Sequence, residues 1–216
     1  MAGAGLFISL DGVDGGGKTG AIAVLQRRLA EQGLDPLVTR EPGGTEGGLA
    51  LRRMLLAEHG HDWTPMAELL LMNAARAQHV ERVIRPALAA GRIVICDRYA
   101  AATLAFQGAG RGLAEAAILD LHRIATGGLW PDLTVILDID VRTGLARSRR
   151  RNAVAGLDEG RFEALDLGFH ERVRQSYLAQ AACWPERYAV IDAGRAEAEV
   201  QQDVLDRVLE AVGRRG

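Results

Sequence analysis

Short runs of apolar residues alternate along the chain with longer segments in which apolar and polar residues repeat at helical spacing. Each short run is rich in Val, Ile, Leu or Phe, which is typical of strands buried in a parallel sheet. These runs predict five strands, at Leu6–Asp11, Pro36–Arg40, Arg92–Asp97, Leu133–Asp138 and Tyr188–Asp192. The longer segments predict helices at about residues 18–32, 48–57, 64–90, 113–126, 141–151, 161–182 and 196–212. The alternation indicates an α/β fold with a five-stranded parallel sheet flanked by helices.

Glycine-rich stretches interrupt this pattern at residues 12–17, 43–48 and 108–112. We expect all three to be loops or to follow strands directly, because glycine permits backbone conformations that end regular elements. No internal repeat, low-complexity tract or linker separates the predicted elements, which favours a single domain over residues 1–216. Ligands of open α/β sheets bind at the carboxyl ends of the strands, so the chemistry is expected in these stretches.

The composition is that of an ordinary globular protein. The 216 residues are 48% hydrophobic and 25% charged, which excludes the disordered and fibrous classes. A net charge of -2 leaves no basic footprint for a nucleic-acid polymer, so such a partner is not expected. No apolar run approaches the length of a membrane span, and the first residues lack a charged targeting region. We therefore expect a protein that does not enter a membrane.

Two cysteines, Cys96 and Cys183, are too few for a disulfide framework and lack zinc-ligand spacing. We interpret both as buried small apolar side chains. This cysteine usage favours a reducing compartment, and we expect a cytoplasmic location.

A phosphate-binding motif follows the first predicted strand. The sequence fits GxxxxGK[ST] in the required order of strand, loop and helix. Its residues are Gly12, Val13, Asp14, Gly15, Gly16, Gly17, Lys18 and Thr19. Glycines let backbone N–H groups turn towards an anion, the lysine reaches the outer phosphates, and the threonine hydroxyl suits Mg²⁺. Lys18 is the only lysine among 26 basic residues, which indicates that this position requires an ammonium group.

The motif alone does not define a reaction. A GTPase of the usual type needs the base-reading sequence NKxD, and a chain whose single lysine is Lys18 cannot contain it. A motor ATPase normally needs a longer chain, whereas a small kinase needs only a phosphate cradle, an acceptor site and a closing lid. The length therefore favours a small kinase.

Candidate acceptor residues follow the second and third predicted strands. Arg40 ends the second strand, and Asp97 and Arg98 end the third. Asp97 can hold Mg²⁺ directly or through water, while the two arginines can clamp an acceptor phosphate in bidentate fashion. We expect these residues to lie beside the phosphate cradle.

Several motifs in order resemble the thymidylate kinase (dTMP kinase) family over essentially the whole chain. They are TREPGGT at 39–45, DRY at 97–99, FQGAGRG at 106–112, PDLTVILD at 131–138 and the phosphate-binding loop. The resemblance implies a P-loop NTP-kinase fold and a homodimer. It also implies transfer of the γ-phosphate of ATP to dTMP with Mg²⁺, and hence small-molecule nucleotides as partners.

The resemblance also implies roles for individual residues. Asp14 would receive the 3'-hydroxyl of the deoxyribose, and Arg98 would hold the acceptor phosphate. Arg40 and Arg76 would line the nucleotide, and Phe106 would pack against the sugar. The remaining expected substrate-binding residues are Met72, Asn73, Tyr99, Thr103 and Gln107.

An arginine-rich segment at about residues 147–161 is interpreted as a mobile, basic lid. It contains Arg147, Arg149, Arg150, Arg151 and Arg161 around a run of small residues. An arginine above the transferring phosphoryl group stabilises charge that grows in the transition state. Residues 15–17 are all glycine, and members of the family without a basic residue there carry the catalytic arginine in the lid. The chain resembles that bacterial lid-arginine type, with Arg149 as the first choice.

One departure from the family leaves alternatives open. Met72 and Asn73 occupy the place where a phenylalanine usually stacks on the thymine ring. Methionine can pack on a base through its polarisable sulfur. Alternatively, the base pocket is altered, and the chain phosphorylates a modified or different pyrimidine deoxynucleotide. A third hypothesis is a nucleotide-binding protein that has lost catalysis.

Overall fold

The computed structural model describes residues 5–57, 61–155 and 160–214. All five predicted strands are present, and every pairing between them is parallel. In chain order, the strands β1 to β5 are Leu6–Asp11, Leu37–Arg40, Ile93–Asp97, Leu133–Asp138 and Tyr188–Asp192. The sheet order is β2-β3-β1-β4-β5, so β1 lies at the centre, and all six of its residues are buried. The carboxyl ends of β3, β1 and β4 therefore lie side by side at one edge of the sheet. Open α/β sheets bind their ligands at this edge.

Helices cover both faces of the sheet. In chain order, α1 to α9 are Lys18–Glu31, Glu46–Leu56, Pro65–His79, Arg85–Ala89, Ala100–Thr103, Glu115–Thr126, Val141–Ala155, Leu167–Cys183 and Glu197–Gly213. The side chains of Thr45, Thr64 and Asp166 cap α2, α3 and α8 by accepting a backbone N–H three residues later. Within the described residues, no helix combines the length and apolarity that crossing a bilayer requires.

Two π-helical segments extend the α-helices. Val80–Ile84 joins α3 to α4, so residues 65–89 form the continuous helical run that the sequence predicts. Leu104–Gly110 continues α5 directly. The expectation of a loop at residues 108–112 is therefore wrong for its first three residues. Gly110 packs against α8, and a Cβ there would come within 2.5 Å of the Phe169 ring. Gly110 is the last residue of this segment, and its lack of a side chain permits the close packing against α8.

The second glycine-rich stretch also differs from expectation, since α2 begins at Glu46 and includes Gly47 and Gly48. The predicted helix over 161–182 begins only at Leu167, after turns at residues 161–164. The first part of the predicted lid continues α7 as far as Ala155. Residues 156–159 of that lid lie outside the described residues.

Most of the core lies on the two faces of the sheet, around β1, β3 and β4. Cys96 on β3 is buried, as expected. Cys183, the last residue of α8, is exposed, so the expectation that it is buried is wrong.

Candidate active site

The phosphate-binding loop runs from the end of β1 to the start of α1, as the sequence predicts. Gly12, Gly15 and Gly17 have positive φ angles of 124°, 79° and 88°, which side-chain-bearing residues rarely adopt. A Cβ on Gly15 would lie 2.0 Å from the carbonyl oxygen of Gly144 on α7. The loop and α7 thus approach backbone to backbone, and the glycine spacing fixes the shape of the cradle.

Lys18 closes this loop from inside. Its Nζ lies 3.4 Å from the Gly12 carbonyl oxygen and 3.2 Å from that of Val13, and the side chain is buried. Burial, with repulsion from Arg98, lowers the pKa of Lys18 to about 8, although Asp97 opposes the shift. An anion placed at the cradle would restore the charge, because negative charge favours the ammonium form.

Two carboxylates at the ends of β1 and β3 fit a divalent cation. Asp11 is fully buried, and neither of its carboxylate oxygens has a hydrogen-bond partner among the described residues. Asp97, on the neighbouring strand, also has one buried carboxylate oxygen without a hydrogen-bond partner among the described residues. Burial raises the pKa of Asp11, although the charges of Arg98 and Lys18 oppose the shift. Carboxylate oxygens and the hydroxyl of exposed Thr19 are suitable ligands for Mg²⁺.

This cation site has few protein ligands. The described residues contain no cluster of three or more His, Cys, Asp or Glu that could hold a metal by itself. Mg²⁺ is commonly bound through one or two carboxylates together with substrate phosphates and water. The sequence reasoning missed Asp11, although an acidic residue directly before the glycine-rich loop is a signal that could have identified it.

Arg98 is held in place by the phosphate-binding loop. It is the one described non-glycine residue with a positive φ, 68°. Its guanidinium donates to the Asp14 carboxylate at 2.7 Å, to the Gly12 carbonyl at 2.8 Å and to the Tyr177 hydroxyl at 3.1 Å. Burial would raise the pKa of Asp14, but the charges of Arg98 and Lys18 bring it below its usual value. Asp14 is therefore an ionised hydrogen-bond acceptor.

Arg76 is held by a second buried carboxylate. Its Nε donates to Glu41 at 2.7 Å, and its Nη2 donates to the Thr103 hydroxyl at 2.8 Å and the Tyr99 carbonyl at 3.2 Å. Nη1 is buried and has no partner among the described residues. His79 also pairs with Glu41, at 2.9 Å. Burial would raise the pKa of Glu41, but Arg76 and His79 lower it, so the carboxylate stays charged.

Glu41 was missed from the sequence, and Arg40 is placed differently from expectation. Arg40 ends β2 with its side chain exposed, whereas Glu41, the first residue after the strand, is buried with 5% exposure. Arg40 does not line the cavity that lies between the phosphate-binding loop and α3. Tyr99 does line it, but its hydroxyl donates to the Leu129 carbonyl, so the contact is made by the rest of the residue.

The cavity lies between the loop, α3, the π-helical segment Leu104–Gly110 and the residues that follow the predicted lid. The space between these elements is about 790 Å³, including open solvent at its mouth. It brings together many of the predicted residues: Asp14, Met72, Arg76, Arg98, Tyr99, Thr103, Phe106, Gln107 and Arg151. Lining residues that the sequence reasoning did not single out include Glu41, Arg52, Asn152, Phe162 and Glu163.

The two residues at the unusual base position have different surroundings. Met72 lines the cavity. Asn73 does not; its amide nitrogen donates to the Leu69 carbonyl of its own helix at 2.9 Å, and the residue is buried. The amide therefore has a contact within α3 and is not part of the cavity wall.

The predicted lid arginines are separated by their contacts. Arg147 donates to the Ala193 carbonyl, and Arg149 donates to the Glu163 carbonyl. Arg150 is exposed and does not line the cavity. Arg151 lines it, with its guanidinium on the Ser148 hydroxyl at 2.7 Å. Arg161 faces away, towards a carboxylate on α3.

A phosphate cradle, an acidic pair beside it and an arginine-lined cavity meet at one edge of a parallel sheet. This arrangement defines a P-loop phosphotransferase that acts on a small phosphorylated acceptor. The two arginines supply cationic donors for the acceptor, while the lysine and backbone amides suit the donor phosphates.

Comparisons with known proteins specify the class further. The thymidylate kinase family model matches residues 10–204. A thymidylate kinase from Cereibacter sphaeroides is 60% identical over 201 residues, covering 93% of each chain. One from Thermomicrobium roseum is 50% identical over 210 residues, covering 97% of each. A crystal structure of thymidylate kinase from Ehrlichia chaffeensis superimposes with a TM-score of 0.76 at 30% identity, covering 95% of this chain and 99% of that one. The chain belongs to the thymidylate kinase family.

The low pKa of Lys18 predicts proton uptake when a phosphate chain binds. At about pH 8.5 about three-quarters of the free lysine is neutral, and an adjacent phosphate restores the ammonium, so ADP binding takes up at most about three-quarters of a proton. Calorimetry in two buffers of different ionisation enthalpy measures this number. The Lys18→Met variant is the control, and we expect its uptake to vanish. Binding heats of the unmodified protein that do not depend on the buffer would contradict the assignment.

Proposed function

We propose that this chain transfers the terminal phosphate of ATP to dTMP, giving ADP and dTDP, with Mg²⁺ as the cofactor. The observation that carries this proposal is the meeting of two phosphate-binding devices at one edge of the sheet. Lys18 and the glycine loop suit the donor, and Arg98 and Arg76 suit the acceptor. Family membership supports the choice of dTMP over other acceptors.

The acceptor half of the cavity is prepared for a deoxynucleoside monophosphate. Arg76 keeps one guanidinium nitrogen without a partner among the described residues, which leaves a donor for a phosphate oxygen. Arg98 lies over the Phe106 ring, 5.0 Å from its centroid. Phe106 would limit the space beside the sugar, and ionised Asp14 would accept a hydrogen bond from the 3'-hydroxyl. Arg40 remains a weaker candidate, because its side chain is exposed.

The donor half holds the phosphate chain. Backbone amides of the loop and Lys18 would bind the β- and γ-phosphates, while Thr19, Asp97 and Asp11 would hold Mg²⁺. When bound, Mg²⁺ neutralises negative charge on the phosphates. The protein forms no covalent bond in such a reaction, so its contribution is to bring the acceptor oxygen in line with the terminal phosphorus and to stabilise charge.

Among the lid arginines, the contacts favour Arg151 over Arg149 as the one that acts on the transferring phosphate. Arg151 lines the cavity with 52% of its side chain exposed, and its guanidinium contacts the side chains of Ser148, Asn152 and Glu163. Arg149 is held on a backbone carbonyl outside the cavity wall. Gly15, Gly16 and Gly17 supply no cation within the loop, which supports the bacterial lid-arginine type for this chain.

The alternative of a modified pyrimidine substrate rests on two residues at the base position, Met72 and Asn73, and only Met72 lines the cavity. Asn73 does not line the cavity; its amide nitrogen donates within its helix, and its Oδ1 is buried without a partner among the described residues. Met72 remains at the wall, where its flexible thioether can pack on thymine. A protein without catalysis is disfavoured because Lys18, Arg76 and Arg98 are all in place.

We also propose a homodimer, as the family resemblance implies. Met66 and Leu70 on α3 are 43% and 49% exposed, and residues four apart share one helix face. Ile124, on the neighbouring α6, is 71% exposed. A second copy of the chain would remove this apolar surface from water.

ADP release measured with ATP, Mg²⁺ and a panel of monophosphates tests the function. We expect dTMP to give the highest kcat/KM among dTMP, dUMP, 5-hydroxymethyl-dUMP, dCMP and dGMP, because Met72 preserves an apolar contact with thymine. Lys18→Met should lower kcat by roughly 10²–10³-fold or more while the circular dichroism spectrum stays unchanged. A better substrate than dTMP would support the altered pocket, and ADP release from no monophosphate would refute a kinase.

Replacement of single lid arginines tests the assignment of Arg151. We expect Arg151→Met to lower kcat roughly 10³-fold, since a cation on the transferring phosphate is lost. Arg150→Met is the matched control, one residue away and equally cationic, and should stay within about threefold of the unmodified enzyme. A large loss in Arg149→Met beside a small loss in Arg151→Met would reverse the assignment.

A further inference from the structure

A fully buried carboxylate lies behind the cavity wall. Glu68 on α3 has no solvent exposure and accepts hydrogen bonds from three side chains. Gln107 donates at 2.9 Å, Arg111 at 3.0 and 3.3 Å, and Arg161 at 2.6 Å. We call Glu68, Arg111 and Arg161 the anchor. None of its three residues lines the cavity, so the anchor belongs neither to the phosphate cradle nor to the acceptor contacts.

Arg161 connects the anchor to a second helix. Its side chain also donates to the Leu55 carbonyl at 3.2 Å, and its backbone N–H donates to the Leu56 carbonyl at 3.2 Å. These two carbonyls stand at the end of α2, where the helix leaves them without partners of its own. The chain that returns from the arginine-rich segment is thereby fixed to both α2 and α3.

The two residues that follow Arg161 connect the anchor to the cavity. Phe162 and Glu163 both line the cavity wall. Glu163 accepts hydrogen bonds from Ser148 at 2.5 Å and Asn152 at 2.9 Å, which belong to α7. Residues 161–163 therefore join α2 and α3 on one side to the helix that presents Arg151 on the other.

The aromatic contacts follow the same path. The guanidinium of Arg111 lies 5.6 Å from the Phe162 ring centroid, and that of Arg161 lies 5.4 Å from it. Phe162 meets Phe106 edge-on, with centroids 5.4 Å apart. Phe106 in turn contacts Arg98 of the acceptor site. The guanidinium groups of Arg111 and Arg161 therefore both contact the Phe162 ring, and Phe162 in turn contacts Phe106 in the cavity wall.

Stability alone is a poor reason for such a cluster. Burying ions carries a desolvation penalty that their attraction often only offsets, and apolar side chains of similar size can be equally stable. A buried carboxylate that binds two guanidinium groups instead fixes the positions of the chain segments that carry them, because the planar donors of a guanidinium fit a carboxylate in few orientations. The geometry defined here is the position of residues 161–163.

We propose that Glu68 is a positioning residue for phosphoryl transfer: through Arg161 it fixes the return of the arginine-rich segment against the acceptor side of the cavity. The proposal rests on the proposed function, since it concerns the placement of Arg151 and Phe162 around the acceptor. It also gives Arg161 a role other than the phosphate contact that its place in the lid predicts.

Three variants test the anchor: Glu68→Gln, Arg161→Gln and the double variant. We expect each single variant to lower kcat roughly 10- to 100-fold, because a small misplacement of the segment disturbs the reacting geometry. The KM for dTMP should change less than about threefold in Arg161→Gln, which leaves the contact between Gln107 and Glu68 in place. The double variant should be no slower than the slower single variant, because the two side chains act as one unit. Arg161→Gln decides the question should Glu68→Gln not give folded protein.

The matched control is Asp138→Asn, which breaks a bidentate pair with Arg174 between β4 and α8, at 2.7 and 2.8 Å. Amide hydrogen exchange, followed by mass spectrometry, gives a readout besides activity. The anchor variants should exchange faster in peptides from 147–163 than the control does, with similar shifts in thermal midpoint. A purely structural role would lower the thermal midpoint without this local change.

The outcomes separate the anchor from the function on which it rests. Unchanged kcat in both single variants, or losses that multiply in the double variant, would overturn the anchor. An unmodified protein that releases no dTMP-dependent ADP would refute the proposed function, and the hydrogen-exchange comparison would still decide whether Glu68 holds the segment.

Discussion

Charge pairing at the carboxyl edge of the sheet is the constraint on which the site depends. A buried ion is tolerated only when it is paired and hydrogen-bonded, so each cation of the cavity needs its own carboxylate. Asp14 holds Arg98, Glu41 holds Arg76, and the anchor holds the end of the arginine-rich segment. Each pair joins two separate elements, so the cavity is assembled before any nucleotide enters. Preorganised charge of this kind is what lowers a phosphoryl-transfer barrier.

The pairing also divides the work within the site. The Nε and Nη2 atoms of Arg76 donate to protein groups, whereas Nη1 has no partner among the described residues and can donate to a ligand. Asp11 and Asp97 show the opposite arrangement, with buried carboxylate oxygens that have no hydrogen-bond partner among the described residues. A cationic donor and anionic acceptors at the carboxyl edge of the sheet suit a phosphate that arrives with its metal ion.

Local sequence predicted the parts of the structure that local physics determines. All five strands and the phosphate-binding loop follow from apolar runs and glycine spacing, and both are present. The π-helical segment Leu104–Gly110 was missed because Gly110 packs closely against Phe169, a contact distant in sequence. Glu41 was missed because its burial depends on its pairing with Arg76 and His79 on α3, which are distant in sequence. The choice among lid arginines likewise depends on tertiary contacts.

The central claim is that the buried arginines are held ready for the phosphate of the acceptor. Calorimetric binding of dTMP and of thymidine, which lacks the phosphate, tests it in the absence of ATP. The account predicts that dTMP binds about 100-fold more tightly, equivalent to about 2.7 kcal/mol, because charge-assisted hydrogen bonds to Arg76 and Arg98 form only with the phosphate. Thymidine binding within about threefold of dTMP would contradict the claim.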